Sequence, residues 1–143
     1  MHTVTFGIDA GDHLSVSVNR RTSPGDDWLQ ATIKISAGPF SGVVSAYLMT
    51  ADFPRFRREL EELHRTLDGV ATFSTIETQL GIECTGNGLG GIRVSGFVWD
   101  KPNDGNELKF EFETDQTFLP QIISQIAEIE RSFPNRTSPD FPL

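Results

Sequence analysis

The spacing of apolar residues changes three times along this chain of 143 residues, and that pattern limits the possible folds more than any other feature. Four runs of alternating apolar and polar residues come first, and a helical spacing of three or four residues follows. The same order then repeats in the second half of the chain. Alternation with a period of two predicts strands with one apolar face, as in antiparallel sheets. We therefore predict an α+β fold of about seven to eight antiparallel strands and two helices, with a weak internal repeat of four strands and a helix.

The predicted strands are defined by their apolar positions. In the first half these are Val4, Phe6 and Ile8, then Leu14, Val16 and Val18, then Leu29, Ala31, Ile33 and Ile35, then Val44, Ala46 and Leu48. In the second half they are residues 70–74, then Leu80, Ile82 and Cys84, then Ile92, Val94 and Val98, then Leu108, Phe110 and Phe112. The first two strands are predicted to form a hairpin through the turn at 9–12, and residues 100–106 are predicted to form a loop before the last strand.

The glycine-rich run at 86–91 resembles a phosphate-binding loop only at first sight. A dinucleotide fingerprint lies between a strand and a helix, whereas here one predicted strand follows another. Asn87-Gly88 is a strong hairpin signal, because such turns require positive φ. We therefore interpret this run as a hairpin turn.

Two amphipathic helices are predicted at about 53–67 and 118–131. Asp52 is the candidate N-cap of the first helix, and Thr117 or Asp115 is the candidate cap of the second. The chain length fits one globular domain, which we place at residues 1–131. The proline-containing tail, residues 132–143, is predicted to lie on the surface or to fray.

Composition excludes several classes of protein. No apolar run approaches the ~18 residues of a membrane helix, and the amino terminus lacks the features of a signal peptide. We therefore expect a cytoplasmic protein without a membrane partner. The lone Cys84 cannot form an intramolecular disulfide and leaves a thiolate metal site short of ligands.

The net charge of −8 argues against nucleic acid as a partner, because phosphate binding requires basic surface. The charge is also uneven, with a net −2 over residues 1–71 and −6 over residues 72–143. One interpretation is that this charge only maintains solubility. The other is that an acidic surface steers a basic partner into contact.

Catalytic and metal-binding patterns are missing from the sequence. It contains no nucleophile elbow, Walker loop or zinc-protease helix, and the three histidines do not have the spacing of metal ligands. The glutamates near the last strand alternate with Phe110 and Phe112, so they face away from the apolar side. An exposed acid lacks the burial that raises the pKa of a general acid. We therefore predict a protein that is not an enzyme, with no catalytic residue, metal or cofactor.

Candidate binding residues come from the polar faces of the predicted strands. Their acidic members are Glu83, Glu107, Glu111 and Glu113, and their other members are Arg93, Phe97 and Trp99. Trp28 and Tyr47 also lie off the apolar register, and they would extend the patch if all these strands shared a face. The alternatives are that these glutamates form a solvated face, and that the other half-sheet, the tail or a dimer contact covers the aromatic residues.

Two motifs in the second half carry a family resemblance. They are Gly91-Ile92-Arg93-Val94-Ser95-Gly96 and the run Leu108-Lys109-Phe110-Glu111-Phe112-Glu113-Thr114-Asp115-Gln116-Thr117-Phe118-Leu119 at a strand-to-helix junction. With these motifs, residues 28–130 resemble the WapI-type family of small bacterial immunity proteins. The segment before Trp28 and the tail after Arg131 are poorly covered by this resemblance.

The resemblance implies a non-enzymatic protein that binds and neutralises the toxic carboxy-terminal domain of a polymorphic, contact-dependent toxin, often a nuclease. It supplies no catalytic residue, because the matching residues have structural roles. An acidic protein suits a basic, nuclease-type toxin domain, which is the expected protein partner. The alternative function is a β module that binds a small ligand or carbohydrate through Phe97 and Trp99. The sequence leaves open whether the protein forms a homodimer.

Overall fold

Strands and helices follow one another in the predicted order in the computed structural model, which describes residues 2–8 and 10–136. The strands are β1 (His2–Gly7), β2 (His13–Arg21), β3 (Trp28–Ala37), β4 (Phe40–Met49), β5 (Asp68–Ser74), β6 (Leu80–Asn87), β7 (Gly91–Lys101) and β8 (Asp104–Asp115). The helices are α1 (Asp52–Thr66) and α2 (Leu119–Ser132), and a short 3-10 turn (Gln116–Phe118) precedes α2. The predicted α+β fold is confirmed.

The strands form two separate antiparallel sheets within the described residues. The first sheet has the order β1-β2-β3-β4, and the second sheet has the order β5-β6-β7-β8. Each strand therefore pairs with its neighbours in sequence, as hairpin connections require. The predicted repeat of four strands and a helix corresponds to one sheet and the helix that follows it.

Three local predictions differ from the structure. Asp52 is the first residue of α1 and not its cap, because its carboxylate accepts a hydrogen bond from the backbone N–H of Met49 (2.9 Å). Ile8 lies beyond the end of β1 and is 59% exposed, although the alternating pattern places it on the apolar face. The predicted loop at 100–106 is shorter, since β7 and β8 continue until Lys101 pairs with Asp104.

The predicted hairpin turn at 86–91 is confirmed, whereas Asp115, a predicted cap of the second helix, caps the 3-10 turn before α2, whose own N-cap is Phe118. Asn87 ends β6, and its side-chain oxygen accepts hydrogen bonds from the N–H groups of Leu89 and Gly91 (2.8 and 3.0 Å). Asp115 caps the 3-10 turn by accepting a hydrogen bond from the N–H of Thr117 (2.8 Å). Asp9, the first residue of the turn predicted at 9–12, lies outside the described residues.

Each helix covers the first strand of one sheet, α1 at β5 and α2 at β1. The N–H of Thr5 in β1 donates to Gln125 Oε1 of α2 (3.0 Å), and the N–H of Thr72 in β5 donates to Glu59 Oε1 of α1 (2.8 Å). Strand edges present unpaired N–H and C=O groups that promote aggregation unless they are covered. Each helix therefore protects one sheet edge in the same way, through a side-chain oxygen that accepts a hydrogen bond from an edge-strand N–H.

Phenylalanine side chains join the two sheets and α1 in the core. The ring of Phe56 in α1 lies 6.1 Å from that of Phe6 in the first sheet and 5.4 Å from that of Phe73 in the second, centroid to centroid. Phe53 also contacts Phe73, at 5.3 Å. Aromatic pairs at these distances add to the stability that burial provides. The apolar stripe of α1 therefore connects two sheets that do not share a hydrogen-bonded strand pair.

An ion-pair group holds the two helices together. Arg57 of α1 pairs with Glu130 of α2 and with Glu61 one turn along its own helix. Hydrogen bonds to Glu130 and then to Glu61 raise the pKa of the Arg57 guanidinium. The Arg57 and Glu130 side chains are mostly buried, so solvent screens their pair less than it screens a surface ion pair.

The start of the predicted tail is bound to the loop between β2 and β3. The buried Asp27 accepts a hydrogen bond from the backbone N–H of Arg136 (2.6 Å) and lies 3.4 Å from the guanidinium of Arg21. Arg21 also donates to the carbonyl of Pro134. Pro134 and Arg136, at the start of the tail, are therefore hydrogen-bonded to Arg21 and Asp27. Residues 137–143 of the tail lie outside the described residues.

Replacing Asp27 with asparagine is expected to lower the free energy of unfolding by about 1–2 kcal/mol, because the charge-assisted hydrogen bonds to Arg21 and Arg136 weaken. The amide of Arg136 should also exchange with deuterium faster. Urea denaturation and hydrogen exchange measure the two effects. Asp104→Asn, the same change at an exposed position, serves as the control and should leave both unchanged. If the two variants have the same free energy of unfolding and the same exchange rate at Arg136, Asp27 does not stabilise this segment.

Candidate functional site

All seven candidate residues lie on the outer face of the second sheet. The register pairs Glu83 with Ser95, Arg93 with Glu113, and Trp99 with Glu107. Side chains alternate between the two faces of a strand, so odd-numbered residues of β6, β7 and β8 share this face. We call this surface the acidic face. Its seven candidate residues are Glu83, Arg93, Phe97, Trp99, Glu107, Glu111 and Glu113.

Arg93 acts as a counter-ion within the acidic face. Its Nε lies 3.1 Å from Glu113 and 3.3 Å from Glu111. A hydrogen bond to Glu113 and the charges of both glutamates raise the pKa of the guanidinium. All three side chains are more than half exposed, so each ion pair adds little to stability. These ion pairs therefore hold Arg93 only weakly in position.

Glu83 differs from the glutamates of β8. No described residue forms an ion pair with Glu83, and the side chain is exposed. The register places Glu83 and Glu111 on either side of Ser95, so the two carboxylates are separated by one strand. At the usual strand spacing their Cα atoms are about 10 Å apart. This part of the acidic face therefore has one unpaired carboxylate beside a small hydroxyl side chain.

The two aromatic members of the acidic face have different surroundings. The ring of Phe97 lies over Gly81, where an added Cβ would be only 2.4 Å from the ring. Trp99 is fixed through its backbone, because its N–H donates to the Gln79 carbonyl (2.8 Å) and its own carbonyl accepts from Gln79 Nε2 (3.1 Å). Gln79 also donates to the carbonyl of Ser45 in β4 (2.8 Å) and so joins the two sheets.

Trp28 and Tyr47 do not extend the acidic face. Both belong to the first sheet, where β3 pairs with β4, whereas Phe97 and Trp99 belong to the second. The condition for a single patch of all four aromatic residues, that their strands share one sheet face, is therefore not met. Sequence alternation identifies which side chains share a strand face, but it does not identify which strands share a sheet.

The two sheets carry opposite charge. The strands of the first sheet contain three basic residues and no acidic residue, whereas the strands of the second contain eight acidic and three basic residues. Their net charges are therefore +3 and −5. Sequence analysis found the acidic second half, but the contrast between sheets emerges only when each strand is assigned to its sheet. The strands of the second sheet therefore carry the acidic excess of the two sheets.

The histidine and acidic side chains of the described part of the chain do not form a candidate metal centre. In residues 2–8 and 10–136, no group of three His, Cys, Asp or Glu side chains is placed to hold a metal ion. His64 is exposed on α1, and His13 contacts the Gly11 carbonyl through Nδ1 (2.9 Å). No helix in the described part of the chain is long and apolar enough to cross a membrane.

Cys84 is buried in the core, as its apolar register predicts, and burial raises the pKa of its thiol to about 12, with a smaller effect of Glu83. The unfolded state releases the thiol proton above about pH 9, whereas the folded state retains it until about pH 12. The free energy of unfolding is therefore expected to fall as the pH rises from about 9 to 12.

We expect the native thiol to resist a disulfide reagent such as DTNB at about pH 8 and to react fully after unfolding in urea. Rapid reaction of the native protein would contradict this placement.

The chain matches the model of a known protein family. A model described as the immunity protein WapI-like family matches residues 5–134. The match extends beyond the expected segment to residues 5–27 and 132–134, and it covers all of β2 to β8 and both helices. A search of curated proteins found no match.

Proposed function

The chain belongs to the WapI-like immunity protein family, and on this premise we propose that it neutralises a toxin domain by binding it directly, without catalysis. The proposed partner is a basic, nuclease-type toxin domain. The proposed contact surface is the acidic face. Family membership supports the immunity role, and the charge contrast between the two sheets supports the choice of surface.

The observation that carries the choice of surface is the net −5 of the second sheet against the +3 of the first. A nuclease binds a polyanion and therefore presents a basic surface to its substrate. A protein face of the same sign as nucleic acid competes for that surface. Complementary charge also raises the association rate, which favours neutralisation of a toxin soon after it arrives.

Aromatic residues give the proposed surface apolar contact area. Phe97 and Trp99 lie in β7 between the glutamates of β6 and β8. Tryptophan and arginine are frequent at the centre of interfaces, where surrounding residues exclude water. Trp99 therefore supplies buried contact area, and the glutamates supply orientation and rate.

The test is co-expression with the toxin domain encoded next to this gene. The proposal predicts restored growth and a stable one-to-one complex, which size-exclusion chromatography with light scattering measures. The control is an unrelated toxin domain of similar net charge, which should neither bind nor be neutralised. Toxicity that persists at full expression of both proteins, without a complex, would reject the proposed function.

A further inference from the structure

A shallow groove crosses the acidic face beside Glu83. Thr72 and Ser74 of β5 form one side, and Phe97 of β7 forms the other. Ser95, which has a small side chain, forms part of its floor, and the Phe97 ring lies over Gly81 next to it. The groove is therefore open to solvent, with a carboxylate at one end and an aromatic ring along one wall.

The polar groups of the groove are placed so that a positively charged side chain can bind there. Glu83 pairs with Ser95 across the strands, and Gly81 pairs with Phe97 one step further along. Glu83 and Phe97 are thus diagonal neighbours on one sheet face, about 7–8 Å apart. That separation allows one long side chain to contact both, with its charged end at Glu83 and its stem against Phe97.

The other carboxylates and the arginines around the groove already have partners. Arg93 is held by Glu111 and Glu113, and Arg55 of α1 lies 3.7 Å from Glu59 and 3.4 Å from the Ser74 hydroxyl. Glu59 also accepts a hydrogen bond from the N–H of Thr72. Lys109 of β8 is the cross-strand neighbour of Phe97 on the side away from Gly81. Among the described residues of this groove, Glu83 is the carboxylate without an ion pair.

We infer that this groove receives an arginine side chain of the toxin domain. Its guanidinium bonds to the Glu83 carboxylate and the Ser95 hydroxyl, and its stem and planar group pack on the Phe97 ring. Arginine fits better than lysine, because a guanidinium donates in several directions and stacks on aromatic rings. The inference rests on the proposed function for the identity of the partner, but not for the chemistry of the groove.

The first experiment tests the groove without the toxin. N-acetyl-arginine amide is titrated into the 15N-labelled protein and followed by NMR. We expect shifts of the Gly81, Glu83 and Ser95 amides, no such shifts with N-acetyl-citrulline amide, and binding about tenfold weaker in Glu83→Gln. Absence of these shifts, or equal binding by Glu83→Gln, overturns the inference. Glu83 is exposed, so its substitution should leave the fold intact.

The second experiment uses the toxin complex. Glu83→Gln is expected to raise the dissociation constant about tenfold, whereas Glu107→Gln, the same change at the other end of the acidic face, is expected to raise it less. If both variants bind the toxin domain as tightly as the wild type does, the inference is overturned but the proposed function stands. Specific arginine binding without any toxin complex supports the groove and rejects the proposed function.

Discussion

Replacing Gly96 with alanine is expected to lower the free energy of unfolding by about 3 kcal/mol or more. Gly96 lies on the inner face of β7, between Ile82 of β6 and Phe110 of β8. An added Cβ would lie 1.9 Å from the backbone oxygen of Gly81 and 3.0 Å from the Phe110 ring. A backbone oxygen cannot rotate away as a side chain can, so β6 and β7 have to separate locally.

Gly42→Ala is the matched control. Gly42 also lies in a strand, β4, but no heavy atom lies within 4 Å of an added Cβ and its φ is not positive. We expect this variant to be as stable as the wild type or more stable by about 0.5 kcal/mol. Because both changes are glycine to alanine, their effects on the unfolded chain are similar. Urea denaturation followed by circular dichroism measures the difference, and a wild-type midpoint for Gly96→Ala would contradict the packing described.

Reversing the charge of Glu111 and Glu113 to lysine is expected to slow association with a basic toxin domain by about 10- to 100-fold at low ionic strength. Both glutamates pair with Arg93, so the double variant also leaves three neighbouring cations on this part of the acidic face. The salt dependence of the association rate should flatten, because attraction across the interface is lost. Stopped-flow fluorescence at several salt concentrations measures both effects.

The control for this prediction changes the net charge equally at another place. Glu62→Lys with Glu128→Lys alters exposed positions on α1 and α2, where each glutamate pairs with an arginine of its own helix. We expect a much smaller effect on the association rate, because steering depends on charge near the contact surface. Equal slowing by both double variants would show that only total charge matters and would remove the acidic face from the proposal.

Local patterns predicted the elements of this fold well. Alternation identified the strands, a spacing of three or four identified α1 and α2, and the Asn87-Gly88 pair identified the hairpin turn at 86–91, where Gly88 has positive φ. These properties depend on residues close together in the chain. Ile8 shows the limit of the method, because β1 ends one residue earlier and leaves that side chain exposed. Asp52 shows another, since its carboxylate bonds backwards to Met49 and does not cap the helix.

The candidate site was predicted in part. Odd-numbered positions of β6, β7 and β8 place Glu83, Phe97 and Glu111 on one face once the strands pair with their neighbours. The sequence did not reveal that Arg93 forms ion pairs with two of the glutamates or that the Phe97 ring lies over Gly81 beside the groove. Both depend on which residues face each other across strands, and register is fixed by pairing and not by composition.

The sequence by itself determined the strands, the helices, their order and the side of each strand that faces the core. Only the tertiary structure decided that the strands divide into two sheets, that these sheets carry opposite charge, and that Trp28 and Trp99 lie on different sheets. It also decided that Asp27 holds the segment after α2. The physical reason is that periodicity records burial along one segment, whereas sheet membership and buried ion pairs depend on contacts between segments far apart in the chain.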